Sequence, residues 1–191
     1  MSSSSQQFAP GWRWAAVALA FPVAGLIGWT ISGPVDAIGP ALLGGALTGA
    51  GLGAVQWWAA KGELGRRPTA WIVASGLGYA AGLAAGAELV GYDTDVGALA
   101  LMGLVSGAVL GAAQGLVLAR QGERRLALAW GLAMPPLFAV CWCATTAIGV
   151  SVDDQFTVFG AAGAITFTVL SGFVLARFAR VPMASGSTVR T

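Results

Sequence analysis

The sequence predicts an all-α integral membrane protein, a six-helix bundle built from one helical hairpin used three times. Three observations predict it. Only 9% of the 191 residues are charged and 57% are hydrophobic, whereas about a quarter of a soluble domain is charged. Apolar runs close to the ~20 residues that cross ~30 Å of hydrocarbon alternate with short polar breaks. A glycine pattern is also written twice. Gly45, Gly49, Gly53 and Gln56 have the spacing G-x-x-x-G-x-x-x-G-x-x-Q, and Gly103, Gly107, Gly111 and Gln114 repeat it 58 residues later.

At ~100° per residue the four positions of each motif fall within ~80° of one another. Each is a strip of bare backbone ending in one amide. In hydrocarbon, where apolar side chains gain nothing by leaving lipid, such strips let two helices approach closely.

The spans follow in order. The first, roughly 14 to 32, begins after Pro10 and Gly11 and carries Pro22 in its middle, which predicts a kink. With one arginine ahead of it and no small-residue cleavage site, it reads as a retained span. After GPVDAIGP the second span, 39 to 60, carries the first glycine strip and ends in Trp57, Trp58 and Lys61. The third, 70 to 90, has a further strip, Gly78, Gly82 and Gly86, and closes on Glu88. The fourth, 97 to 119, carries the second full motif. The fifth, 126 to 149, contains Pro135 and Pro136, which predict a break or bend. The sixth runs from 156 to 176, and the tail 181–191 reads as disordered. The whole chain, 1–191, is one transmembrane domain with hairpins over about 12–60, 68–119 and 126–177, which leaves no room for a soluble domain.

Charge orients the bundle. All ten basic residues fall in the N-terminal segment, the second and fourth loops or the C-terminal end, and six of the eight acids lie at the other three loops. The positive-inside rule then places both termini in the cytoplasm. The net charge of +2 is this arrangement summed and gives no sign of nucleic acid. Cys141 and Cys143, two residues apart on one helix, point to different faces and are poorly placed to pair.

The hairpins resemble one another. Arg66 and Arg67 align with Arg124 and Arg125 at the offset of 58, and GLVLAR at 115–120 recurs as GFVLAR at 172–177. Repeats with an even number of spans keep one orientation, so a pseudo-three-fold axis along the membrane normal is expected. In the third copy Ser171 aligns with Gln114, so a ring of three amides is not available.

Absences bound the chemistry. There is no histidine, hence no usual general base, haem ligand or commonest metal ligand. Phosphate-loop and dinucleotide signatures are missing, and the glycines lie in apolar helices rather than after a strand. Neither catalytic residues, cofactor nor metal site is predicted.

Gln56, Gln114, Glu88 and Ser171 are the candidate polar or ligand-lining residues. The glutamines either line a polar passage or bond a neighbouring helix, and sharing a strip with packing glycines favours the second role. Glu88, an ionisable group near a span end, is a functional candidate by default. Thr145, Thr146, Thr166, Thr168 and Ser171 form a polar patch between the last two spans or bond the carbonyl one turn back. Asp93, Asp95, Asp153 and Asp154 lack the pattern of a calcium loop, and the eight tryptophans read mainly as interface anchors.

GALTGAGLGAVQWW and GLVSGAVLGAAQGLVLAR, each followed by a basic loop, resemble a loose group of small multi-pass bacterial membrane proteins with repeated glycine-rich hairpins. The likeness covers residues 40 to about 130 best. It implies a bacterial inner-membrane setting and no catalytic residues. The leading expectation is a non-enzymatic accessory or scaffold subunit that binds another membrane protein, a second copy or lipid through its glycine-rich faces. The alternative is a small permease or channel with its path along the pseudo-three-fold axis.

Overall fold

The computed structural model describes residues 11–60, 63–64, 67–152 and 156–179. Lys61, Arg66, Asp153, Asp154, Arg180, Arg190 and the tail lie outside the described residues. Six α-helices follow in chain order: α1 (Trp12–Ser32), α2 (Ile38–Ala59), α3 (Pro68–Leu89), α4 (Val96–Arg120), α5 (Arg124–Ala147) and α6 (Ala161–Phe178). All are long and apolar enough to cross a membrane, and the described residues contain no strand.

Local chemistry sets the ends. Pro68 opens α3, where its missing N–H is harmless. Asp95 caps α4, its Oδ1 accepting from the amides of Gly97 at 2.7 Å and Ala98 at 2.9 Å. Gly33 ends α1 with a φ of +79°, a conformation side chains avoid.

The first five helices begin and end within about two residues of the sequence-predicted spans. The sixth does not. Residues 156–160 precede α6 as irregular chain, and Thr157, Val158 and Phe159 are buried. Their apolar character comes from insertion into the bundle, not from a helical span. The proline pair of α5 leaves the helix unbroken from Arg124 to Ala147. It frees the carbonyls of Gly131 and Leu132, and that of Gly131 faces the bare backbone of Gly111.

Each helix packs on the next, and α6 returns to α1 to close a ring. Among the described residues, helices that are not ring neighbours stay more than 8 Å apart by their Cα atoms. The axis is therefore filled by side chains. Phe159, from the inserted segment, contacts the rings of Phe21, Phe138, Trp142 and Phe167 with centroids 4.8 to 6.2 Å apart.

Four tryptophans join this interior: Trp14, Trp71, Trp130 and Trp142 are at most 2% exposed. The expectation of interface anchors fits only part of the set, such as Trp12, which is 74% exposed and lies edge-on to Trp58. The indole N–H groups of Trp14 and Trp130 find acceptors inside the bundle, whereas those of Trp71 and Trp142 have none among the described residues. Trp14 donates to the carbonyl of Thr168 at 2.9 Å and so ties α1 to α6.

The glycines of the strips lie where neighbouring helices pack closely. A Cβ on Gly45 would stand 2.8 Å from Ala80 Cα, and one on Gly53 2.6 Å from Ser75 Cβ, with Gly49 still closer to the Ser75 carbonyl between them. Gly78, Gly82 and Gly86 meet α4 in the same way, at Ala113, Ser106 and Met102. Gly103, Gly107 and Gly111 meet α5 at Ala139, Met134 and Gly131. Several of these glycines face a carbonyl oxygen, the arrangement in which Cα–H groups add weak hydrogen bonds across a helix pair.

Candidate functional site

Two polar clusters sit inside the bundle, and neither contains an ionised group. The first joins both motif glutamines. Gln114, 1% exposed, donates from Nε2 to Ser75 Oγ at 2.8 Å and to Gln56 Oε1 at 3.3 Å, while its own oxygen accepts from Trp130 Nε1 at 2.7 Å. Ser75 in turn donates to the carbonyl of Trp71 at 2.8 Å. Trp71 stands edge-on to Trp130, centroids 5.9 Å apart. Helices α2, α3, α4 and α5 thus meet at one amide, since Gly53 and Gly111 let the backbones close in just before each glutamine.

The second cluster lies toward the other end. Thr157 donates to the carbonyl of Gly25 at 3.0 Å and its hydroxyl is 3.1 Å from that of Thr48. Its carbonyl accepts from Tyr79 Oη at 2.5 Å. These bonds anchor the inserted segment to α1, α2 and α3.

The other candidates are separate from both. Ser171 is buried but donates to the carbonyl of Phe167 in its own helix at 2.5 Å. Thr145, Thr146, Thr166 and Thr168 likewise bond the carbonyl one turn back. Glu88 is exposed at the end of α3, where its carboxylate accepts from the hydroxyl of Tyr92. That bond, with the nearby charge, pushes the Tyr92 phenol up to about 12.

The antiparallel seams put the described arginines at one end of the bundle: Arg13, Arg67, Arg120, Arg124, Arg125 and Arg177. Asp36, Glu88, Asp93 and Asp95 are at the other. Among the described residues the buried polar side chains are hydroxyls, amides and indoles, and there is no cluster of three or more metal-ligating groups. Cys141 and Cys143 are free thiols.

Thr157, Tyr79 and the buried tryptophans were not singled out by sequence reasoning as one interior. The signal available was the pair Gly149 and Gly160 flanking a short stretch interrupted by Asp153 and Asp154, which marks a loop better than a helix start.

The fold is that of a multi-pass integral membrane protein. Comparison with known proteins gives no match to a family model, a curated protein or a solved structure.

Proposed function

We propose that the chain is a non-enzymatic protein of the bacterial cytoplasmic membrane, both termini cytoplasmic, that serves as an accessory or scaffold subunit. It binds a membrane-protein partner or lipid through its outer surface. One observation carries this reading above the others: the interior is packed, and its buried amides and hydroxyls are bonded within the chain, although the indole N–H groups of Trp71 and Trp142 have no partner among the described residues. Large aromatic side chains fill the axis, and the Gln114 amide has three partners of its own chain.

The same observation weighs against the alternative of a permease along the axis. Its proposed lining, Gln56, Gln114 and Glu88, is split between a buried bonded pair and an exposed residue at the opposite end. The glycine strips themselves are largely taken up by neighbouring helices, so a partner meets the chain on its lipid-facing sides instead. The exception is the α4–α5 seam, where glycines also reach the outer surface.

Photocrosslinkers at lipid-facing positions such as Leu19, Leu77 and Leu132 in native membranes test the proposal. A specific protein or lipid adduct supports it. A monomer with no adduct rejects it, and solute flux in proteoliposomes that Gln56→Leu with Gln114→Leu abolishes would install the permease in its place.

A further inference from the structure

The seam between α4 and α5 carries a furrow of about 580 Å³ on its outer side. Gly111, Gly115 and Gly131 line it where the two helices pack closely, a Cβ on Gly111 meeting Met134 Cβ at 2.7 Å and one on Gly115 the Ala127 carbonyl at 3.1 Å. Leu116, Leu128 and Leu132, 51% to 76% exposed, form its banks.

Length limits the occupant. The furrow runs from Ala108 to Ala119 on one helix and from Arg124 to Pro135 on the other. At 1.5 Å per residue either stretch is ~16 Å, about half of the ~30 Å hydrocarbon core and so one leaflet. An acyl chain of the leaflet on the arginine side matches that length, whereas a spanning partner helix would run on past its end.

Charge selects the head group. Arg124, exposed, stands at the polar end of the furrow and lines it. It is also the first residue of α5, whose N-cap Glu123 makes no side-chain cap, leaving first-turn amides for an outside acceptor. A guanidinium beside such a helix start suits a phosphate.

We propose that the α4–α5 furrow binds one anionic phospholipid of the leaflet on the arginine side, an acyl chain lying along the glycines and the phosphate at Arg124. The inference rests on the reading of the chain as a membrane-embedded binding protein and names a ligand for it.

The test uses the full chain in nanodiscs of equimolar phosphatidylglycerol and phosphatidylcholine with identical acyl chains, followed by native mass spectrometry of the retained lipid. The wild type is expected to keep phosphatidylglycerol about five-fold over phosphatidylcholine. Arg124→Gln brings that ratio near unity, and Arg13→Gln, at another helix start on the same side, leaves it unchanged. Ala112→Phe, entered from an exposed position on the furrow, releases both lipids, with Ala112→Leu as the milder variant should the first not fold. A wild-type ratio near unity, an unchanged ratio in Arg124→Gln, an equal loss in Arg13→Gln or full retention in folded Ala112→Phe overturns the inference. Capture of a protein partner by a chain without lipid preference would refute the furrow site alone. Flux through the glutamine pair with lipid still bound would refute only the accessory reading.

Discussion

Trp130 donates its indole N–H to the side-chain oxygen of Gln114 at 2.7 Å, where neither residue is more than 1% exposed. The bond ties α4 to α5 at the point where α2 and α3 also converge. Truncating Gln114 strands partners on three helices at once. Gln114→Leu is expected to lower stability in detergent by ~2 kcal/mol, and Trp130→Phe by ~1 kcal/mol. Chemical unfolding of the singles and the double variant checks this. Strict additivity would show that the two groups do not interact.

The glycine seams make a graded prediction. A Cβ on Gly107 would meet the backbone of Met134 at 2.5 Å and Pro135 Cα at 2.9 Å, and main chain cannot swing aside. On Gly131 the nearest atom would be 3.6 Å away. Gly107→Ala is therefore expected to cost ~1 to 3 kcal/mol, whereas Gly131→Ala is neutral or stabilising by up to ~1 kcal/mol. Thermal midpoints of the two variants in one detergent decide the matter.

The inserted segment hangs on Thr157. Thr157→Val keeps its shape but removes the bond to Gly25 and leaves the Thr48 hydroxyl without that partner. A loss of ~1 to 2 kcal/mol is expected, with faster hydrogen exchange at 156–160 and little change in α3 or α4. Uniform protection across the chain would show that the segment is not held this way.

Tyr92 offers a pH test. Its hydrogen bond to Glu88 pushes the phenol up to about 12 from the ordinary 10.0. A raised phenol favours its neutral form, so whatever this contact adds is present below the ordinary value and lost as pH climbs through about 12. Glu88→Gln is expected to bring the Tyr92 midpoint down toward 10, read by phenolate absorbance in a Tyr79→Phe background. An unmoved midpoint would show that the carboxylate is not the cause.

The six apolar helices were legible in the residues, and Gln56 and Gln114 stood out as polar groups within them. Their partners were not legible. Trp71 and Trp130 read as interface anchors because in lipid a helix is apolar on its core side and its outer side alike, so periodicity does not say which way a large ring turns. The run around Thr157 read as the start of the sixth span for a related reason. Short apolar stretches look the same whether they cross a bilayer or fold into a bundle. The furrow was hidden as well, since small residues that bring two helices together also decide how much groove remains beside them.

Trp14 and Thr168 hold the ring closed from opposite ends of the chain, 154 residues apart. During synthesis the first helix therefore enters the bilayer long before its acceptor exists. Until α6 is made, the carbonyl that accepts from Trp14 is absent, and the ring cannot close through this bond.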